Sequence, residues 1–457
     1  MIDLRGFYRV TNPSQTLEIA KPEDRKYYIN FSSVRGVDLI KRLTKRISFL
    51  SPDDPTCTLF TGHIGCGKST ELKHLKLELE KKDFHVVYFE SSEDLEMTDV
   101  DISDVLLAIA RRLSQSLEGI SIGRPQTLME LLREAGKILF SEVEIFQFES
   151  GLPAIAGLPE VKFSTRKAGE FSLELGIGKI TGRAKSDPRL REQLNQYLGP
   201  RKIQLLEAIN QELIEPAIAK LKQQNKAGLV VIADNLDRLD PRQKPWKRGQ
   251  HEYLFVDQGE YLTRLACHMI YTMPLALKFS NDYGMLTQRF DDPQVLPMVP
   301  VKHRGDREDE EGIKLLRQMV LVRAFPDLSP EERLQKIDTI FESPESLDRL
   351  CRASGGHVRD LLRLLNRWIE ESGEFPLTGK ALTDVIRERQ NIVKQAVSDE
   401  EWDLLRRVQR TKKVSDTTGY QALIRSRFVF EYCDSEGLSW FDVNPLLADA
   451  EELRIKN

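Results

Sequence analysis

One stretch constrains this chain more than any other: Gly62-His63-Ile64-Gly65-Cys66-Gly67-Lys68-Ser69. It fits the spacing G-x-x-x-x-G-K-[ST] without a gap. Before it, CTLFT (Cys57–Thr61) is a run of β-formers, and after it KSTELKHLKLELEKK has a helical pattern. Glycines let a backbone curl until several N–H groups point inward, and they leave no side chain in the way of a bound anion. A helix starting at that nest adds the positive end of its dipole. Lys68 supplies a mobile positive charge for β- and γ-phosphates. Ser69 supplies a hydroxyl for a Mg²⁺ shell, with Thr70 beside it on the first turn. Strand, glycine loop and helix in this order predict a phosphate cradle on the edge of an α/β sheet.

A second strand supplies the partner. In GLVVIADNLDRLD (Gly228–Asp240) four apolar residues lead to Asp234, and a carboxylate at a strand end can hold Mg²⁺ through water. Further buried-type strands are predicted at HVVYFE (His85–Glu90), CHMIYTMP (Cys267–Pro274) and QVLPMVPV (Gln294–Val301). Apolar strands separated by helical stretches predict a parallel sheet covered on both faces. Residues 1–30 read as a polar N-terminal arm, and 31–304 as the core. Within that core, about 121–226 reads as an insertion. It contains a hairpin at EFSLELGIGKITGRAK, where Phe171, Leu173, Leu175 and Ile177 alternate with polar or small residues. A helical region over about 188–224 closes the insertion. Residues 305–396 read as helical. Residues 397–457 read as two helices and two short strands, a winged-helix-like order.

The bulk numbers fit this division. A length of 457 residues suggests two or three domains, and a net charge of −4 gives no global field toward nucleic acid or membrane. Five scattered cysteines, with no CxxC pair, suit a reducing compartment and no structural metal. No apolar run approaches the ~18 residues of a transmembrane helix. The expected location is the cytoplasm, without membrane contact.

The spacing resembles that of P-loop ATPases of the ASCE division, and within it the AAA+ and STAND class. That resemblance implies a P-loop NTPase sheet followed by an α-helical lid, with ATP and Mg²⁺ as ligands. The family's second acid, next to the Asp that corresponds to Asp234, polarises the attacking water. Here that position is Asn235, and the next acid is Asp237, which can alternatively pair with Arg238. The string DNLDR also looks like the DDLDR of KAP-type NTPases. ASGGHVRDLLRLLNRW (Ala353–Trp368) resembles the sensor-2 motif of the replication-initiator clade, which implies Arg359 near the γ-phosphate. Thr272 lies where sensor 1 sits, Arg289 in TQRFDD where an arginine finger projects into a neighbour, and Arg35 in SVRG near the adenine.

Three functions follow as expectations. The first is a nucleotide-dependent, homo-oligomerising switch with slow hydrolysis, acting on an effector protein, as regulators in bacterial conflict and antiviral defence do. The second is a DNA-binding initiator- or loader-like ATPase. It would use the winged helix or the basic hairpin at 162–185, which holds six basic residues (Lys162, Arg166, Lys167, Lys179, Arg183, Lys185) against two acidic. The third, a small-molecule kinase, needs an acceptor pocket beside the loop. Whether the site cuts its nucleotide or holds it turns on Asn235 and Asp237.

Overall fold

The computed structural model describes residues 3–118, 125–139, 173–415 and 418–454. Five strands form one parallel sheet: β1 (Cys57–Thr61), β2 (Phe84–Glu90), β3 (Gly228–Asp234), β4 (His268–Thr272) and β5 (Gln294–Val295), in the order β2-β3-β4-β1-β5. Alternate residues face opposite ways, and both faces are covered. Val231, Ala233, Met269 and Tyr271 enter one core with the helix Ile102–Ser116. Val230, Ile232, Phe60 and Ile270 enter another with the helix Lys68–Glu80. Two buried faces are why these strands read as unbroken apolar runs. All four long strands end at the same edge, where the phosphate loop, Asp234, Thr272 and Glu90 lie.

β5 is shorter than the sequence suggested. Pro297 and Pro300 lack an N–H and stop the ladder. The chain then bridges two units: the Leu296 N–H donates to Thr61 O at 2.7 Å and the Met298 N–H to Glu431 O at 3.0 Å.

The expected hairpin at 162–185 is a correction. Residues Leu173–Ser186 are an α-helix. The part of that stretch before 173, including Lys162, Arg166 and Lys167, lies outside the described residues. Ile177, Ile180 and Ala184 are buried at spacings of three and four, and Thr181 Oγ1 donates to Ile177 O at 2.9 Å. Four alternating apolar residues fit a strand, but the helical period continues to Ala184 and finds a core to enter. That core is shared with Leu128, Leu132, Leu194 and Ile209 and runs on into the sheet face.

Helices Glu310–Ala324, Pro344–Ser354, Val358–Ser372 and Gly379–Lys394 surround Trp368 and Phe341. The N-terminal segment, expected to be a loose polar arm, contributes a capped helix, Leu4–Val10, whose Phe7 is fully buried among them. At the far end, helices Asp399–Thr411 and Thr418–Arg425 precede an antiparallel pair, β6 (Val429–Cys433) and β7 (Ser439–Val443). Phe430, Tyr432 and Trp440 of this pair pack into the core beneath the phosphate-loop helix.

Candidate functional site

The loop leaves β1 at Thr61 and enters the helix at Lys68. Gly65 has φ +94°, and a Cβ there would sit 2.7 Å from His357 Cε1. The helix Val358–Ser372 thus rests directly on the loop. The Arg359 N–H donates to Gly65 O at 3.1 Å, and His357 Nε2 donates to Ile64 O at 2.8 Å. The two glycines before this helix let it approach: a Cβ on Gly356 would fall 1.7 Å from Val299 O.

Lys68 is buried. Its Nζ donates to Gly62 O at 2.8 Å and His63 O at 2.9 Å, and pairs with Asp237 Oδ2 at 2.9 Å. Burial alone would lower its pKa, but the Asp237 carboxylate, with Asp234 beyond, holds the ammonium above the usual lysine range. Asp237 therefore pairs with Lys68 and not with Arg238. Its other oxygen, Oδ1, is buried without a partner.

Asp234 lies one layer behind. Tyr88 Oη donates to its Oδ2 at 2.7 Å, and the Asn235 N–H donates to its Oδ1 at 2.7 Å. Burial, then the Asp234 carboxylate, pushes the Tyr88 hydroxyl far above the usual range, so it stays a donor. Asn235 has φ +67°, which turns the chain so that Asp237 faces the loop. The Leu236 N–H donates to Thr272 Oγ1 at 3.0 Å; the fully buried Thr272 holds that turn rather than lining the cleft. Asn235 Nδ2 donates to Glu90 Oε2 at 2.7 Å.

Lys68, Asn235 and Asp237 line an open cleft with Gly67, Ser69, Thr70, Arg238 and Arg359, with Gln15 and Thr16 on one side. Arg238 and Arg359 make no ion pair or side-chain hydrogen bond among the described residues. Burial, then the guanidiniums of Arg238, Arg363 and Arg427, hold Arg359 below the usual arginine range, a sign of positive charge awaiting a counter-charge. A second, apolar hollow opens from Gly67 and Thr70 between Tyr27, Ile29, Phe31, Met319 and Leu362. Arg35, 2% exposed, borders it. Its Nη2 donates to Cys66 O at 2.7 Å and its guanidinium stands 5.4 Å from the Phe31 ring, so it braces the loop from behind.

His63 and Cys66 point away from the cleft. Cys66 is fully buried, with Sγ 3.7 Å from Leu296 O. His63 Nε2 accepts the Glu431 N–H at 2.9 Å, which ties β6 to the loop. Burial, then His357 and Lys68, holds the His63 imidazole well below the usual histidine range, so it is neutral.

A divalent cation fits this donor set at one point: the orphaned Asp237 Oδ1, which shares the cleft wall with Ser69. Asp234, the carboxylate the sequence favoured, has both oxygens engaged. Arg289 stands apart from the cleft. It is exposed on the helix Tyr283–Phe290, and its Nη1 donates to the carbonyls of Val256 and Asp257. Sequence reasoning missed Glu90 and Arg238. For Glu90 a signal existed, since HVVYFE and GLVVIAD are similar strands that both end in an acid.

The strand order and this geometry define a P-loop NTPase. Residues 38–244 match the KAP family P-loop domain. No curated protein matches the chain. Among solved structures it is similar to a Walker-type ATPase of Pyrococcus abyssi, with 12% identity, 98% of this chain and 100% of that one covered, and a TM-score of 0.42. It is also similar to the ORC2 protein of Aeropyrum pernix in ADPNP-ADP complexes, at 12% identity, 98% and 95% coverage and a TM-score of 0.40. Drosophila ORC bound to DNA gives 11% identity, 99% and 90% coverage and a TM-score of 0.36. Scores this low add nothing to the assignment, which rests on the sheet, the site and the family match. No helix among the described residues is long and apolar enough to cross a membrane.

Proposed function

We propose that the chain is an ATP-dependent conformational switch with slow hydrolysis. The observation that carries this reading is the cluster of Lys68, Arg238 and Arg359 on one cleft, with the last two making no ion pair among the described residues. A triphosphate supplies their counter-charge. Its oxygens meet the loop N–H groups, and Lys68 exchanges Asp237 for them. The base lies in the apolar hollow among Tyr27, Ile29 and Phe31. Ser69 and the free oxygen of Asp237 would hold Mg²⁺, which neutralises charge on the transferring phosphoryl group. Sheet, helical unit and N-terminal segment all touch this one ligand, so its loss loosens all three from one another.

The oligomeric part of the reading rests on Arg289, which is exposed on the helix Tyr283–Phe290 and would leave the carbonyls of Val256 and Asp257 to meet a neighbour's phosphate. The DNA-loading alternative has less support. The basic stretch after 173 is a helix, and β6 and β7 bury their aromatic residues. Helix Thr418–Arg425 buries Tyr420, Leu423 and Ile424, and Gln421 donates to Phe279 O at 2.8 Å.

The test is the size of the particle with and without ATP, for the parent and for Arg289→Ala, alongside phosphate release. Assembly with ATP that Arg289→Ala weakens is expected. A monomer with steady turnover, or an assembly indifferent to nucleotide and to Arg289, would sink the switch.

A further inference from the structure

Asn235 raises a chemical problem, because an amide can orient a water but cannot take its proton. Asp237 pairs with Lys68 in the ligand-free protein and, in the ATP-bound form proposed above, would serve Mg²⁺. The neighbouring strand offers a third candidate. In the parallel β2–β3 pair, Glu90 is directly opposite Asp234. Its Oε2 accepts the Asn235 amide at 2.7 Å, and it makes no ion pair among the described residues. Glu90 is half-buried and faces an open polar recess with Thr16, Arg238, Arg359 and Arg363. Arg238 and Arg359 also line the phosphate cleft, so cleft and recess share a wall.

We propose that Glu90 is the general base of this NTPase, and that Asn235 is the positioning residue that aims it. The inference rests on the reading of the cleft as an ATP site. A water between Glu90 and the terminal phosphate attacks phosphorus. The bond from that phosphorus to the bridging oxygen breaks, and ADP leaves with the electron pair. The water's proton passes to Glu90 Oε1 and from there to solvent, leaving ADP and inorganic phosphate. The hydrogen bond from Asn235 fixes one carboxylate oxygen so that the other faces the recess. Acid and amide thus stand at the ends of adjacent strands, the acid closing β2 and the amide just after β3.

The experiment measures ATP binding by calorimetry and phosphate release on the full chain. A positioned base contributes about 10²–10⁴-fold. Glu90→Gln should lower turnover by at least about 100-fold, with ATP affinity within about threefold of the parent. The exchange variant, Glu90→Asn with Asn235→Glu, keeps both the charge and the hydrogen bond. It should recover about tenfold or more over Glu90→Asn alone, which a merely structural role for the pair would not produce. If the parent binds no ATP, the reading of the cleft fails and the proposal with it. If the parent binds ATP, the proposal alone is overturned by any of three results: no phosphate release, Glu90→Gln turnover within about threefold of the parent, or an exchange variant no better than Glu90→Asn.

Discussion

Replacing Asp237 with Asn should weaken the ligand-free protein and strengthen its grip on metal-free ATP. Lys68 and Asp237 have side chains 5% and 4% exposed, and their contact is 2.9 Å. The asparagine keeps the shape and an acceptor oxygen but removes the one charge paired with the ammonium among the described residues. Breaking one half of a buried pair costs about 3–5 kcal/mol. Because the amide oxygen still accepts, the lower end, about 3 kcal/mol, is the working figure. At about 2–4 °C per kcal/mol for a domain of this size, the ligand-free melting temperature should drop by roughly 6–12 °C. Phosphates restore the missing charge, so the bound forms differ far less. By linkage, ATP affinity in EDTA should then rise, at about 1.4 kcal/mol per tenfold, by up to about 100-fold. Mg²⁺ should enhance binding less in the variant, because Asp237 Oδ1 is the oxygen free to meet it. Thermal unfolding with and without saturating ATP, and titration calorimetry in EDTA and in Mg²⁺, read each part. Equal ligand-free stability, or a gap that ATP leaves unchanged, would refute the argument that Asp237 stands in for phosphate.

Three further outcomes follow from the same region. Because burial depresses the His63 pKa, the unfolded chain takes up a proton below about pH 6.5 that the folded chain refuses, so stability present above that pH is lost as pH falls. The melting temperature of the parent should decline between pH 7 and 5, and that of His63→Gln, whose amide oxygen can accept the Glu431 N–H, should decline less; parallel slopes would count against it. Gly65→Ala places a Cβ 2.7 Å from His357 Cε1 at φ +94°, so the helix Val358–Ser372 should lift from the loop. Limited proteolysis should then cut near Gly355–His357 about 5- to 150-fold faster, as expected for a strain near 1–3 kcal/mol. Phe430→Ala removes a fully buried ring that stands 5.6 Å from His63 and 5.8 Å from His357. A loss of about 3–5 kcal/mol in denaturant unfolding is expected, and ATP affinity should fall with it.

The parts of the fold written in local sequence were legible. The phosphate loop carries its strand, turn and helix within about twenty residues, and each piece has its own chemical signature. The strands buried on both faces announced a parallel sheet through runs such as LVVIAD. The misread helix, Leu173–Ser186, shows where local pattern stops deciding. Its apolar residues fit a period of two over the first few positions and of 3.6 over the whole, and the core supplied by Leu128 and Leu194 settled the matter. The site was legible in its binding half. Lys68, Ser69 and Arg359 share one cleft, as their motifs implied. The pairing of Asp237 with Lys68 was hidden because it depends on one left-handed residue, Asn235. The facing of Glu90 was hidden because it depends on which strand lies beside β3, and 137 residues separate Glu90 from Gly228 in the chain, with a helical bundle between them.

The hydrogen bond from Glu431 to His63 joins residues 368 positions apart. At roughly 5–20 residues per second, about 20–70 s separate the synthesis of the loop from that of the strand that braces it. In a growing polypeptide the phosphate loop therefore lacks this brace until β6 has emerged. Any premature stop before β6 would yield a product that keeps Lys68, Asp234 and Asp237 yet lacks the strand that braces the phosphate loop from behind.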